Sequence, residues 1–505
     1  MFTPSKNQPQ PKALDVKQTK WGKGYISTLS DSRIPNDALT DTTNIELDQD
    51  GIPRPRKSLV PYGSPMLGTC IGVGTFIKRI AGTVKPERWE ISMQVIAGVG
   101  KVHIRKDGGT WTVIAGTNSF SATAETQFTQ SNFRVYISNA VNTMSYYDIQ
   151  LGTIVTYNPI ASPAAPTATQ TGLTGTTYTY RYVITANNNV GETAGSTAGT
   201  VQVAKVRDQW TGGTSQYVTV SWTAVAGATS YNVYFGDTSG NEQFLVTVNG
   251  LSFIDDNSIP TNPFKVAPPG NSTSGPKLSN MVNSNGQLFG VGDPDNPSYM
   301  WYSGSGKNAG DFSPFNGGGY VAIDYGGDSI PVAVKQFRDG KGNPLVTVLT
   351  KGSAGKGKLN HVTFVTQQFG DVPIIYPQVQ EANGQAGTIS PFGVIDANNS
   401  LYYPTGTDFV DTGTSANVVN ILTTASAAQA IQQDVQNLNL AAMDSCRGIE
   451  YENKLYWALP VGSATNNEIW IKDLTRGGVW MLRWTVPAKY LWLYEDNFGV
   501  THFCV

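Results

Sequence analysis

The sequence predicts an all-β protein: a β-propeller carrying an inserted β-sandwich and one short amphipathic helix. The first observation behind this is a meander near the end of the chain. Ile449 and Tyr451, then Leu455, Trp457 and Leu459, alternate around an Asn453-Lys454 turn; Ile469 and Ile471 continue the pattern, and Trp480, Leu482 and Trp484 follow the turn at Thr475-Arg-Gly-Gly478. Alternation at period two gives each strand one core face, and four strands joined by short turns form the antiparallel unit from which propeller blades are built. The second observation is composition. Charged residues are 14% while Gly 54, Tyr 23 and Trp 11 are abundant, as suits a turn-rich β protein with large buried or intersubunit surfaces. The third is a pair of Pro-rich stretches, 158–167 and 260–269, that bracket strands of a different character. The residues outside the insert, about 400, are expected to build one propeller of roughly six to eight blades.

At 505 residues the chain exceeds one simple core. Its net charge of -2 lacks the basic footprint of a general DNA-binding protein. Cys70, Cys446 and Cys504 have neither disulfide-framework nor zinc spacing and read as reduced thiols of a chain made in a cytosol. The opening Met1-Phe-Thr-Pro-Ser-Lys-Asn-Gln-Pro-Gln-Pro-Lys12 has no apolar core and does not read as a signal peptide. No apolar run is long enough for a membrane span.

Residues 1–20 are polar and Pro-containing and read as an extended arm. The first part of the propeller is assigned to 21–160. There Asn44 leads into Ile45-Glu-Leu-Asp-Gln-Asp-Gly-Ile-Pro-Arg-Pro-Arg56, with Gly51 turning a hairpin and Arg54 and Arg56 flanking a proline. Asp48-Gln-Asp50-Gly51 echoes a calcium loop, but Lys57 stands where the closing Glu belongs, so no metal is assigned. Strand-like runs follow at 91–96, 102–106, 111–115, 134–138 and 144–148. Asp107-Gly-Gly-Thr-Trp111 returns in looser form as Asp473-Leu-Thr-Arg-Gly-Gly-Val-Trp480. Both place an acidic residue and a Gly turn before a Trp entering a strand. Their spacing differs from the Asp box of sialidase propellers, and they read as hairpin corners.

The insert is assigned to 161–268, with Tyr178, Tyr180, Trp222, Tyr231 and Tyr234 as its core aromatics. Its strands fall at sandwich spacing, and Trp222 entering the core before Tyr231 opens the next strand resembles the fibronectin type III/Ig-like pattern. The second part of the propeller is assigned to 269–505. The helix is expected where Ser426-Ala-Ala-Gln429 makes a capping box and Ile431, Val435, Leu438 and Ala442 form one apolar stripe.

A search for chemistry assigns no catalytic, cofactor-binding or metal-ligating residue, and no cofactor. Gly352-Ser-Ala-Gly-Lys-Gly-Lys358 has phosphate-loop spacing, but Leu359 replaces the Ser or Thr and the residues beyond alternate as a strand. It reads as a mobile basic hairpin tip with Lys351, Lys356 and Lys358, outside or at the rim of any lumen. His103, His361 and His502 lie in strand patterns without spaced partners. Asp324, Asp328 and Asp371 are carboxylates that could meet at a propeller mouth as a glycosidase acid and nucleophile. The chain is nevertheless expected not to be an enzyme.

Three stretches together resemble the tail nozzle proteins of short-tailed bacteriophages, also called tail tubular or packaged-DNA-stabilisation proteins. They are Trp21-Gly-Lys-Gly24 through Asp41-Thr-Thr-Asn44 to Arg56, the inserted Gly175-Thr-Thr-Tyr-Thr-Tyr-Arg-Tyr182 with Asn189-Val-Gly-Glu-Thr193, and the helix followed by Tyr451 to Trp484. The resemblance implies a homohexameric ring of propeller subunits beneath the portal and adaptor proteins. That ring would be the distal tail tube through which the genome leaves, and would carry tail fibres or spikes. It implies assembly in the host cytoplasm, residence in the virion tail, and DNA as a partner only in transit. The alternative from another class is a propeller-type carbohydrate-binding protein or a sialidase-like glycoside hydrolase.

Overall fold

The computed structural model describes residues 26–27, 39, 43–47, 52–79, 85–188, 190–213, 215–313, 316–324, 326–338, 344–352, 357–369, 372–383, 386–412, 425–426, 431–475 and 479–505. The protein is nearly all β, in small open sheets whose strands mostly follow one another along the chain. Sheet 1 comprises Thr69–Lys78, Glu87–Ile96, Val99–Arg105 and Thr112–Val113. Sheet 2 comprises Gln127–Ser131, Arg134–Ser138, Ser145–Asp148 and Thr153–Thr156, with Ala115–Gly116 added in parallel at its far edge. Sheet 3 is Asn280–Ser284, Gln287–Val291, Tyr299–Ser305 and Gly319–Ala322; sheet 4 is Ile330–Arg338, Pro344–Lys351, Leu359–Phe369 and Val372–Asn383. Sheet 5 is Ile395–Ala397, Ser400–Pro404, Phe409–Asp411 and Ala425–Ser426; sheet 6 is Arg447–Tyr451, Lys454–Leu459, Glu468–Asp473 and Val479–Trp484. Sheet 7 has, among the described residues, two strands, Trp492–Glu495 and Thr501–Cys504. The turns fall where the sequence puts residues tolerant of left-handed backbone, as at Asn285 (φ 52) and Gly286 (φ 77), the tight pair that closes the first hairpin of sheet 3.

Each sheet packs a face on the next through its own apolar cluster, because strand alternation supplies an apolar row to both faces of a sheet held between two others. Ile91, Met93 and Val102 of sheet 1 meet Val135 and Ile154 of sheet 2. Tyr136 and Tyr146 meet Met281 and Trp301 between sheets 2 and 3; Val291 and Met300 meet Val334 and Val348 between sheets 3 and 4. Phe337 and Leu349 meet Leu401 and Tyr403, and Tyr402 and Phe409 meet Trp457 and Trp470, carrying the series to sheet 6. Phe503 of sheet 7 then stacks on Tyr451 (5.8 Å) and packs on Tyr456 (4.7 Å) of sheet 6. Side chains couple the first strands as well. The Gln127 amide donates to Met281 O (3.1 Å) and accepts from Met281 N (2.7 Å), and Asn280 Oδ1 accepts from Val334 N (2.9 Å).

Between sheets 2 and 3 the chain builds a separate pair of sheets. One holds Thr167–Thr171, Tyr217–Ser221 and Ser252–Asp255; the other holds Gly199–Val203, Tyr178–Asn187, Ser230–Gly236, Gln243–Val248 and Asn262–Val266. These strands pair only with one another and share one core containing Tyr180, Tyr182, Trp210, Trp222, Tyr231 and Val233.

Three expectations are corrected. Tyr178 lies 39% exposed at the start of its strand, outside the core. Tyr234 is fully buried but on the opposite face of the five-stranded sheet, where its hydroxyl donates to Glu192 (2.6 Å). The short amphipathic helix is, among the described residues, a single turn, Gln432–Val435, followed by a 3-10 turn, Leu440–Ser445. Ser426 pairs with Val410 in sheet 5, and Ala427, Ala428 and Gln429 of the expected capping box lie outside the described residues; Asn439 starts the second turn by accepting from Ala441 N (3.2 Å). Ile431, Val435 and Leu438 still reach the core, but Met443 rather than Ala442 completes the set.

Candidate functional site

Among the described residues, the joint where sheet 7 meets sheet 1 is built around buried charge. Alternation along Glu87–Ile96 sends Ile91 and Met93 toward sheet 2 and Glu90, Ser92 and Gln94 to the other face, where all three are fully buried. Arg105, opposite Glu90 in the register, grips it with Nε to Oε2 at 2.7 Å and Nη2 to Oε1 at 3.0 Å. Its remaining nitrogen donates to Tyr62 O (3.3 Å) and Ser64 O (2.8 Å), and its guanidinium lies over the rings of Trp111 (4.5 Å) and Tyr62 (5.4 Å). Sheet 7 docks on this platform. Trp492 Nε1 donates to Glu90 Oε1 (3.0 Å), the Tyr494 hydroxyl donates to Asp107 Oδ1 (2.7 Å), and the His502 ring stacks on Tyr62 at 4.7 Å. Burial, reinforced by Glu90, pushes the Tyr62 phenol and the Cys504 thiol each up to about 12, so both are neutral. Glu90 is paired with Arg105, and Asp107 is held by the Tyr494 hydroxyl and by Asn497 N (3.2 Å).

A second cluster gathers the loops that lead into four sheets. Glu125, ahead of sheet 2, accepts from Arg447 Nη2 (2.9 Å) at the start of sheet 6 and from the Tyr490 hydroxyl ahead of sheet 7. Lys489 lies 3.6 Å from the same carboxylate and donates to Cys70 O of sheet 1 (2.9 Å). Arg447 also covers the Phe392 ring at 4.4 Å.

Several residues singled out in the sequence come together. Asn44 (φ 59) accepts from Thr485 N (3.1 Å) and from Arg56 Nε (3.1 Å), and Arg56 lies over the Trp484 ring at 5.8 Å. Thus the hairpin of Ile45–Leu47 and Pro53–Pro55 is pinned to the last strand of sheet 6, with Arg54 opposite Glu46 within it. Gly51 lies outside the described residues. Asp107 (φ 49) and Trp111 form a corner, as their pattern predicts, but one that serves the polar seam. Trp222 packs on Tyr231 (5.6 Å), and Trp457 buries against Phe409 (5.0 Å) with its Nε1 on Gly393 O (2.9 Å). Asp473 turns the second corner through Thr475 N (2.8 Å) and Oγ1 (2.6 Å), and Trp480 pairs with Lys472 across the strands. The seam has no signal in the sequence, where 91–96 shows only as a strand-like run and a polar row facing a buried joint has the spacing of one facing solvent.

The phosphate-loop likeness is disposed of by geometry. Leu359–Phe369 is a strand, and the Lys358 ammonium is held by Asp324 and by Glu381 (3.3 Å) rather than projecting from a free tip. Lys356 and Asp371 lie outside the described residues. Asp324 also accepts from Ser329, and the Lys358 hydrogen bond holds its carboxyl below the usual range, so it is an ion-pair member and no glycosidase acid. Asp328 is exposed. His103 bonds Lys101 O (3.0 Å), His361 bonds Thr347 Oγ1 (3.0 Å) and His502 bonds Asp496 (3.0 Å). Among the described residues no group of three His, Cys, Asp or Glu side chains could hold a metal ion.

No protein-family model and no curated protein matches the chain. Among solved structures it is similar to apo AztD from Citrobacter koseri, at 10% identity and a TM-score of 0.34 over 81% of this chain and 85% of that one. It is also similar to Saccharomyces cerevisiae Sqt1, at 10% identity and a TM-score of 0.34 over 86% and 91%. Likeness at that score establishes neither a family nor a function.

Two outcomes follow from this geometry. Replacing Arg105 with Met strands the Glu90 carboxylate in the interior and should lower unfolding stability by about 3–5 kcal/mol, whereas E90M/R105M should lose much less; urea unfolding of the three proteins measures this. Burial also depresses the His361 imidazole to about 4 from 6.5. The unfolded chain therefore binds this proton first as pH falls. The stability is complete above about pH 6.5, declines between 6.5 and 4, and the loss reaches about 3 kcal/mol. H361Q should remove that part of the pH dependence in thermal melts compared with the unsubstituted protein.

Proposed function

We propose that sheets 1 to 7 are the blades of one β-propeller and that residues 161–268 are an inserted fibronectin type III/Ig-like sandwich. In this reading the chain is a structural virion protein, a ring-forming nozzle subunit of a short-tailed phage. The observation that carries the propeller reading is the order of the joints: each sheet packs on the next in chain order, and the last packs back on the first across the Glu90–Arg105 seam. The role rests on the sequence resemblance and on electrostatics. A conduit for DNA must not grip it, because a wall rich in Lys and Arg would release counterions and hold the polyanion; 35 basic against 37 acidic residues suit passage.

The axial cluster refines the picture. In a ring of seven sheets, sheets 2 and 6 are not neighbours, so the Glu125–Arg447 pair crosses the middle. DNA would then pass between copies and not along the axis of one subunit. A homohexamer, with portal or adaptor proteins above and fibres or spikes attached, follows from the resemblance, as do residence in the virion tail and a non-enzymatic role.

Negative-stain images of the concentrated protein should show closed rings with sixfold symmetry, and a structure of the assembled ring should show a neutral or acidic central opening. A protein that stays monomeric at every concentration, or a strongly basic bore, rejects the nozzle reading. Residues 161–268 expressed alone should melt in one cooperative transition; a fragment that stays unfolded while the full chain folds would sink the insert assignment.

A further inference from the structure

Sheet 7 is held to its two neighbours by different physics. On one side Leu491 and Phe503 pack with Tyr456, Ile469, Ile471 and Trp484 of sheet 6, and Leu47 belongs to the same cluster. Parting sheet 7 from sheet 6 would expose that apolar core to water. On the other side the bonds are of kinds that water can replace at little net cost. Trp492 donates to Glu90, the Tyr494 hydroxyl and Asn497 N reach Asp107, and Arg88 pairs with Glu495 at 3.1 Å, both partly exposed. The costly pair, Glu90 with Arg105, lies wholly within sheet 1 and stays intact if sheet 7 leaves. The chain between the two sides divides in the same way. Residues 62–67 are bonded to sheet 1: Arg105 donates to Tyr62 O and Ser64 O, Ser64 N donates to Gly108 O (2.9 Å), and Leu67 N donates to Gln94 Oε1 (2.7 Å). Arg56 lies over Trp484 of sheet 6, and residues 57–61 between these anchors are exposed.

We propose that the seam is a separable joint: sheet 7 parts from sheet 1 while it stays on sheet 6, residues 57–61 are the hinge, and Glu125 is the latch. The latch spans the same gap at the level of the loops. Arg447, Tyr490 and Lys489 stand in the segments leading into sheets 6 and 7, and their partners, the Glu125 carboxylate and Cys70 O, belong to the side of sheets 2 and 1. Every one of these bonds must break for the joint to open. The Glu125 and Lys489 side chains are 39% and 52% exposed, so the latch is within reach of solvent and of salt. Opening therefore trades hydrogen bonds and ion pairs for water and leaves the apolar joints closed. That a closed circuit of sheets opens rests on the propeller reading; the separation of sheet 7 from sheet 1 needs the seam contacts alone. A failed ring image and a failed exchange result are thus distinct outcomes.

Hydrogen–deuterium exchange of the full chain tests this on matched amides. Across the seam Asp107 N donates to the Tyr494 hydroxyl (2.8 Å) and Asn497 N to Asp107 Oδ1 (3.2 Å). Met281 N and Val334 N make the same kind of bond, to Gln127 Oε1 and Asn280 Oδ1, across apolar joints, and Leu67 N makes it within the sheet 1 side. E125Q should speed exchange at Asp107 and Asn497 by roughly tenfold and leave Met281, Val334 and Leu67 unchanged. Neither seam amide bonds to Glu125, so loss of a local contact does not produce that pattern. If E125Q folds poorly, added salt on the unsubstituted protein screens Lys489–Glu125 and Arg88–Glu495 and should give the same selective acceleration. Seam amides that do not change in the folded variant or in salt, or all five amides changing alike, overturn the proposal.

Discussion

The Glu90–Arg105 pair is the constraint on which the order of sheets depends. Burying a carboxylate and a guanidinium is expensive, and the cost is offset only where every lone pair and N–H finds a partner. Here the partners come from three separate stretches: the carbonyls of Tyr62 and Ser64, the ring of Trp111, and the indole of Trp492. The pair therefore specifies what can sit against it, which an apolar face would not do. The other joints are mainly aliphatic and aromatic, with single polar couplings such as Gln127 to Met281; the joint of sheets 7 and 1 instead matches a donor to Glu90 and a hydroxyl to Asp107.

The same device recurs in the two-sheet unit. Arg207 holds Asp255 through Nε (3.0 Å) and Nη2 (2.6 Å), lies over the Phe235 ring at 5.0 Å, and shares the carboxylate with the Tyr182 hydroxyl (2.7 Å). Asp255 belongs to the three-stranded sheet and Tyr182 to the five-stranded one, so the pair clasps the two sheets across their core. The unit meets the rest of the chain through backbone and short polar contacts: Asn188 Nδ2 to Thr273 O (2.9 Å), Ile160 N to Thr273 Oγ1 (3.0 Å) and Phe312 N to Val190 O (3.0 Å). An attachment of this kind leaves the neighbouring apolar joints undisturbed.

How much of this was legible follows from the range of each interaction. Strands could be read because alternation is local: the runs around Trp457, Ile469 and Tyr136 are strands at the expected places. Hairpin corners at Asp107 and Asp473 could be read for the same reason. The seam at Glu90, Ser92 and Gln94 could not be read, because a polar row facing solvent and one facing a buried seam have identical spacing; the difference lies in Trp492, 402 residues away. The helix misled for another reason. Ala- and Gln-rich sequence favours helix locally, but Ser426 is taken by sheet 5 and Asn439 turns the chain, so tertiary pairing overrode propensity.

The polar character of the seam matters most before the protein is complete. A ribosome adds roughly 5–20 residues per second, so sheet 1 waits on the order of tens of seconds for the hairpin that covers it. During that wait an apolar half-joint would be an adhesive surface for any other nascent chain. Glu90 and Arg105, only 15 residues apart, find each other at once and keep that face wettable until Trp492 arrives. The last face to be covered during synthesis is thus the one least prone to stick.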